Sequence, residues 1–432
     1  MSQHAASWYA ATRAPFGPLA PLEGETRCDV VVIGAGFTGA SAALHLAEAG
    51  FEVVVLEAER VGWGASGRNG GLIIPGQRKG AAYLHETFDP ATARRLFDMG
   101  QEARALQRDL IARHAIACDH AETGHVYAAL TAGQRDHAWA EARIARDVFG
   151  YDRMQELDAH GVRAHVASER YVGGAFDPAG GHIHPLNYAQ GLAAAAMAAG
   201  ARLHEGSRLT SLTQGPGGVA ARTAHGVVRA RHALLATDVY TQAVDRRLGA
   251  WIMPVGNYLV ATEPLGGALD TLIPGRAAVS DAKFVVDYYR PTADGRILFG
   301  GGERYTPSAP EDIRGFVRPY LARVFPSLSD IALDYAWGGL VSITFTRNPC
   351  FGRRGEVFWA LGYSGLGVVL AAFGGALAAE AIRGHAERFD LMGAMPGARF
   401  PGGPLARNPL YVAGMLYFAL RDRIELRLGG RL

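Results

Sequence analysis

Cysteine is almost missing from this chain: Cys28, Cys118 and Cys350 are the three among 432 residues. Odd in number and far apart, they suggest neither a disulfide framework nor a C-x-x-C metal site, so no metal is expected and a reducing cytoplasm fits. An excess of charge is missing as well. Against 43 Lys and Arg stand 41 Asp and Glu, a net +2; with no basic run and no recognisable module, there is no electrostatic footprint for nucleic acid. Long apolar runs are also lacking. The segment 366–382 contains Glu380, and 410–420 runs into Arg421; both fall short of the ~20 apolar residues a spanning helix needs. Docked helices are expected there, with a surface-lying tail as the lesser alternative. The opening MSQHAASWYAATRAPFG has no basic segment followed by an apolar stretch, so no secretory leader is expected.

Glycine is what the chain has in excess. Its 56 residues are roughly twice the usual ~7%, and glycines are needed where backbone turns tightly or approaches a ligand. Hydrophobic residues at 49% and charged residues at 19% indicate a soluble globular chain. The length suggests two domains.

From Cys28 the sequence reads CDVVVIGAGFTGASAALHLAEAGFEVVVLE. A β-branched run, a glycine turn, an alanine- and leucine-rich stretch and a second β-branched run make a strand–helix–strand unit with strands buried on both faces. Gly34, Gly36 and Gly39 form G-x-G-x-x-G at the first turn, and Glu57 ends the second strand 23 residues after Gly34. These are the parts of a dinucleotide site: a tight turn, close approach to a pyrophosphate, helix–sheet packing, and an acid for a ribose hydroxyl. A carboxylate at Glu57 would repel a 2′-phosphate, which disfavours NADP and leaves FAD or NAD.

Three further signals favour FAD. WGASGRNGG (63–71) follows Glu57 closely and so starts near the carboxyl end of the sheet, where ligands bind in such folds. Stretches 200–212 and 227–238 read as additional strands of the nucleotide domain, with GPGG (215–218) as a hairpin turn. Residues 357–384 read as strand, second glycine turn (Gly362, Gly365, Gly367) and helix. Such a helix N-terminus, set against a flavin's pyrimidine edge, would favour negative charge on the reduced ring. Residues 86–149 carry mixed charge at helical spacing, expected as a solvated face, and 250–305 hold strand-like runs between proline and glycine turns. The expected fold is therefore α/β: a discontinuous Rossmann-type FAD-binding domain (26–85, 185–244, 336–385), a mostly antiparallel-sheet substrate domain (86–184, 245–335) and a docked C-terminal segment (386–432).

With these motifs in hand, the chain resembles the FAD-dependent amine and amino-acid oxidase family that includes D-amino-acid oxidase, glycine oxidase and sarcosine oxidase. Within it, LHLAEAGFEVVVLEAERVGWGASGRNGG, GGHIHPLN, DYYRPTADGRILFGGG, GYSGLGV and LRDR, in that order, are most like the bacterial gamma-glutamylputrescine oxidase subgroup. The resemblance implies oxidation of a CH–NH2 group, of gamma-glutamylputrescine or a related polyamine derivative, to an aldehyde with ammonia and hydrogen peroxide. The alternatives are oxidation of a secondary amine or amino acid, sarcosine-like or cyclic, by an oxidase or dehydrogenase, and an FAD-binding protein whose catalysis has decayed. Three departures stand out. Leu366 occupies the turn position where members commonly carry histidine. Thr237–Asp238 replaces the usual threonine–glycine. No cysteine falls near 336–341, where sarcosine-oxidase-like relatives tether the flavin, so noncovalent FAD is expected.

Expected cofactor contacts are Gly34, Gly36, Phe37, Thr38 and Gly39 at the first turn, with Glu57 and Ala58 beyond the second strand. The glycine loop adds Gly64, Ala65, Ser66, Gly67, Arg68, Asn69, Gly70, Gly71 and Leu72, with Arg68 and Asn69 near the isoalloxazine edge. Leu209, Ala236, Thr237, Trp337 and Gly338 follow, and then the second turn: Gly362, Tyr363, Ser364, Gly365, Leu366, Gly367 and Val368. For the catalytic pocket the candidates are Tyr258, Tyr288, Tyr289, Arg290 and His184. Neighbouring tyrosines on a strand face opposite ways, so only one of Tyr288 and Tyr289 can face the flavin. Arg290 is read either as holding a substrate carboxylate or as an interface ion pair, His184 as a base or as a turn histidine, and Trp337 as a flavin cap or as packing. The partners are a small-molecule amine and dioxygen or another electron acceptor. Leu298 stands where some relatives place a lysine that helps dioxygen. Oligomeric state is not legible in these residues.

Overall fold

The computed structural model describes residues 3–304 and 309–401; the segment 410–420 and the LRDR motif lie outside them. Its first layer is an eight-stranded sheet with the path Cys350–Arg354, Val357–Leu361, Gly226–Leu235, Gly24–Ile33, Val53–Leu56, Arg202–His204. The last five of these run parallel. A hairpin, Ser211–Gly215 with Gly218–Arg222, turns at Pro216–Gly217 and pairs antiparallel with Gly226–Leu235. Val30, Val31 and Val32 are fully buried at the centre, which is why that strand is apolar on both faces.

Helices cover this sheet. Phe37–Glu48 packs on Gly367–Ile382, and the Ser41 hydroxyl donates to Ala372 O at 2.6 Å. A Cβ on Gly375 would lie 2.2 Å from Thr38 O, so the two helices that follow the two glycine turns touch backbone to backbone. The 16-residue helix Gly367–Ile382 is thereby an interior helix, and no helix among the described residues is long and apolar enough to cross a membrane. Pro90–Arg113, in the stretch expected to be solvated, is solvated on one side only: Leu96, Phe97, Met99, Ala103 and Leu110 join the core around Gly367–Ile382.

The second layer is another eight-stranded sheet, in the order Leu333–Thr344, Ile252–Thr262, Ile297–Arg304, Tyr288–Pro291, Ala278–Asp281, His125–Ala129, Gly173–Asp177, Gln155–Asp158. Its neighbours are antiparallel except Ala278–Asp281 with His125–Ala129. One boundary moves. Residues 336–344, expected in the nucleotide domain, pair with Ile252–Thr262 from Thr344 back to Leu333; the long antiparallel partner carries the strand past residue 335, and the chain returns to the first sheet only at Cys350.

Because side chains alternate along a strand, this sheet has two unlike faces. One buries Tyr258, Val260, Val279, Tyr289 and Phe299 against Val317 and Leu321 of the helix Ile313–Val324. The other presents Val255, Asn257, Leu259, Ser280, Tyr288, His125 and Tyr127 to a cavity between the layers.

Candidate active site

That cavity has a volume of about 970 Å3. Both glycine turns reach it: Gly36, Phe37 and Thr38 from the first, Tyr363 to Val369 from the second. The Tyr363 hydroxyl and Thr38 Oγ1, 2.8 Å apart, join the turns. Neither following helix has a side-chain N-cap from its own cap residue, Gly36 or Leu366. Ser66 Oγ accepts from Phe37 N at 3.0 Å at the first of them; the two helix N-termini border one chamber, an arrangement that suits phosphate and other anionic groups.

The first turn is built for close approach. A Cβ on Gly39 would stand 1.8 Å from Gly34 O, so only glycine lets the helix start this close to the strand. Glu57 is half-buried, and its carboxylate accepts from Ala35 N at 2.8 Å and Glu59 N at 2.9 Å. Desolvation raises its pKa while those two amides oppose the rise. The carboxylate is thus held in a fixed orientation at the strand end, where a ribose hydroxyl can donate to it. Leu209 is half-buried against the same sheet's apolar cluster, and Ala236 lines the chamber where its strand ends. Thr237 bonds to Thr241, Oγ1 to Oγ1 at 2.8 Å, beside the turn. These features fit the ADP half of FAD.

The glycine loop has a divided purpose. Ala65, Ser66, Arg68, Asn69, Gly70, Gly71 and Leu72 line the chamber, whereas Gly64 and Gly67 do not. A Cβ on Gly67 would meet Gly62 O at 2.2 Å, and Gly71, at φ 73°, has Ile183 O at 2.3 Å from the Cβ position. Part of the glycine content therefore serves protein packing rather than the ligand. Arg68 donates to Trp63 O at 2.7 Å and Gly338 O at 3.2 Å, with its guanidinium 4.2 Å from the Trp63 ring centre. Asn69 donates to Ala65 O and Ser66 O and accepts from Gly71 N. The loop is pinned from within.

Of the five catalytic candidates, the structure brings only Tyr288 to the chamber, with its hydroxyl donating to Asn257 Oδ1. Tyr289 points the other way, its ring stacked 5.5 Å from Phe299 and its hydroxyl donating to Tyr171 at 3.1 Å. Tyr258 shares that buried face, edge-on to Phe316. Arg290, 1% exposed, is a brace: it donates to Gly70 O at 2.8 Å, Pro291 O at 2.9 Å and Tyr9 Oη at 3.3 Å. Tyr9 in turn donates to Asn69 O, so Arg290 and the N-terminal helix Trp8–Thr12 fasten the glycine loop to the second sheet. His184 caps the helix Pro185–Ala198 by accepting Asn187 N at 3.1 Å, and its Nε2 lies 3.2 Å from Thr12 Oγ1. Burial, and then the Arg290 charge, lower its pKa to about 3. Trp337 packs on Tyr9 and donates to Arg68 O at 3.0 Å, so Trp337 and Gly338 act behind the loop while Gly339 lines the chamber. Leu298 is fully buried beside Trp8, Tyr9 and Trp337, away from the chamber.

Other chamber residues escaped the sequence reading. Asp238, half-buried, has a positive φ of 42°, and its carboxylate accepts from Gly362 N at 2.9 Å and the Ser342 hydroxyl at 2.7 Å. It ties the second turn to the second sheet, a task a glycine could not perform. Glu141 accepts from Ala81 N at 2.7 Å and Ala82 N at 3.2 Å, and burial raises its pKa. Arg347, with its guanidinium 5.1 Å from the Phe284 ring centre, and the pair Asp281 and Lys283 add further charge to the wall, with Asp287 behind it accepting from Lys283 Nζ at 2.6 Å. The signal available for the last group was three charges inside the apolar run of DAKFVVDYY.

A profile of the FAD dependent oxidoreductase family matches residues 29–381. The chain belongs to the FAD-dependent oxidoreductase family. As a member it is an enzyme with FAD as its cofactor. It is 40% identical to the gamma-glutamylputrescine oxidoreductase of Escherichia coli K12 over 98% of this chain and 100% of that one. It is 37% identical to a probable oxidoreductase, OrdL, of Rhizobium meliloti over 96% and 97%. Among solved structures, glycine oxidase from Geobacillus kaustophilus shares the fold of this FAD-dependent oxidoreductase at a TM-score of 0.71 and 23% identity, covering 84% of this chain and 97% of that one.

Proposed function

We propose that this FAD-dependent oxidoreductase oxidises the terminal primary amine of gamma-glutamylputrescine or a similar polyamine derivative, yielding an aldehyde, ammonia and hydrogen peroxide. The observation that carries this reading is the likeness to gamma-glutamylputrescine oxidoreductase along nearly the whole of both chains. The chamber supports it. It is large enough for an extended substrate and mixes apolar walls with groups of both charges: Arg68, Lys283 and Arg347 against Glu141 and Asp281.

FAD, when bound, supplies the two-electron oxidation of the C–N bond that side chains cannot perform. The chain's own tasks are to hold the substrate and to manage its protons. Asn257 and Tyr288, coupled by their hydrogen bond, offer a polar edge on the sheet face above the chamber. Leu259, Leu340 and Leu366 exclude water there. An aliphatic ammonium has a pKa of ~10 and must lose a proton before its carbon can give up hydride, so the chamber has to favour the neutral amine. The imine left behind hydrolyses to aldehyde and ammonia.

The test is to record the visible spectrum of the purified protein, add gamma-glutamylputrescine without oxygen, and then admit air. Bleaching of the yellow band, followed by recovery with peroxide, is expected. A yellow protein bleached by a secondary amine or an amino acid instead would transfer the activity to that class; no bleaching by any of them would leave a flavin binder without this chemistry. Cys28, Cys118 and Cys350 are free and none lines the chamber, so denaturation should release all the flavin into the supernatant. Colour retained on the precipitate would refute noncovalent attachment.

A further inference from the structure

Among the described residues five cations line the chamber: Arg68, Arg78, Lys79, Lys283 and Arg347. Four are accounted for. Arg68 and Arg78 donate to backbone carbonyls, Arg78 to Ser364 O at 2.9 Å; Lys79 is exposed above the Tyr83 ring; Lys283 lies between Asp281 and Asp287. Arg347 is the exception. It is half-buried, its guanidinium meets the Phe284 ring, and that guanidinium makes no hydrogen bond or ion pair with any described residue. A ring face attracts a cation but leaves the N–H fork unclaimed, so its donors remain for a ligand. The acids of the wall do not compete for them. Glu141, Asp177, Asp238 and Asp281 are each tied to protein donors, Asp177 to the Tyr151 hydroxyl at 2.8 Å and Ala179 N at 2.9 Å.

The backbone of Arg347 is held in place. It stands in the turn between Leu333–Thr344 and Cys350–Arg354, at a positive φ of 66° that a non-glycine residue seldom adopts. Thr344 Oγ1 donates to Asn348 O at 2.7 Å, and Asn348 Nδ2 donates to Tyr83 Oη at 2.8 Å and Pro396 O at 2.9 Å. Thr344 N donates to Ser364 Oγ at 3.1 Å. Through Ser364 the turn is fastened to the second glycine turn, so Arg347 has a set position relative to the helix N-terminus that borders the chamber.

We propose that Arg347 binds a carboxylate at the end of the substrate remote from the amine, so that the enzyme selects amines carrying a distal acid. This rests on the reading above that an amine is the substrate. In gamma-glutamylputrescine the glutamyl unit is joined through its side-chain carbonyl, which leaves its α-carboxylate free at the far end from the primary amine. The guanidinium fork matches two carboxylate oxygens, and the pair is stronger in a water-poor chamber than in bulk. A free diamine would bring a second cation to Arg347 instead, and is repelled.

The experiment compares two amines that differ at one group: glutarylputrescine, which ends in a carboxylate, and pentanoylputrescine, which ends in a methyl. With the FAD-loaded wild-type protein, kcat/KM for glutarylputrescine should exceed that for pentanoylputrescine by ~10–100-fold, mostly through KM and less so at high salt. In Arg347→Gln the two should become nearly equal, and Arg347→Lys should keep an intermediate preference. An equal loss for both amines, with or without an altered flavin spectrum, would show that Arg347 serves the fold or the cofactor and would overturn the assignment, as would a wild-type enzyme indifferent to the carboxylate. A second measurement needs no oxidation. N-butylglutaramate, which has the acid and no amine, should perturb the flavin band of the wild-type protein and bind ~10–100-fold more weakly to Arg347→Gln. That result without bleaching by either amine would remove the proposed amine oxidation and keep the carboxylate site; equal binding by both proteins would remove the site.

Discussion

The two faces of the second sheet are made by the same strands and share the same tyrosine-rich composition, yet they have opposite duties. Tyr289 is fully buried, stacked on Phe299 and edge-on to Phe325, 5.2 Å away. Its neighbour Tyr288 lines the chamber. One backbone step separates a packing residue from a site residue, because the strand period is two. What distinguishes them is the neighbouring layer, helix Ile313–Val324 on one side and the two glycine turns across the chamber on the other.

Substitutions should separate the faces. The largest effect is expected for Tyr289→Ala, which opens a cavity in the aromatic core and should cost ~3–5 kcal/mol of stability; a melting temperature close to wild type would show that this face is not the core it looks like. Arg290→Leu comes next. It leaves Gly70 O buried without its donor and unfastens the glycine loop, for ~3 kcal/mol. Weakened flavin loading should accompany it; a pure rise in KM with full flavin content would instead place Arg290 on the substrate.

Acid should act through buried histidines. His125, His182 and His184 have pKa values lowered to about 4, 3 and 3, by desolvation first in each case. The unfolded chain takes up protons at these residues as pH falls through ~6.5, while the folded chain stays neutral until much lower pH. The unfolded state therefore binds more protons in that window, and stability should fall by ~1.4 kcal/mol per pH unit per histidine. Thermal melts between neutral and mildly acid pH check this, and a flat profile would contradict the burial of all three. The smallest change in stability is expected for Tyr288→Phe, under ~1 kcal/mol, with kcat/KM down about tenfold. Equal losses for Tyr288→Phe and a conservative Tyr289→Phe would erase the distinction between the faces.

Legibility followed the same division. The unit from Cys28 to Glu57 was readable because buried parallel strands are apolar on both faces and the turn between them tolerates little but glycine. The second turn before Gly367 was readable for the same reason. The second sheet was readable as strands but not as a site. DYYR could not say which tyrosine faced inward, nor that Arg290 would be consumed by Gly70 O and Tyr9. GGHIHP likewise could not reveal that His184 caps a helix.

The sequence by itself determined the α/β class, the two glycine turns, the acid at Glu57 and, through its likeness to the family, FAD as cofactor. These depend on local backbone geometry and on neighbours in the chain. The tertiary structure decided which residues form the chamber. Asp238 reaches Gly362 across 124 positions, and Arg290 reaches Gly70 across 220. Partnerships at such separation leave no period or spacing in the chain, since they arise only when two layers, each folded by its own local rules, close on one another.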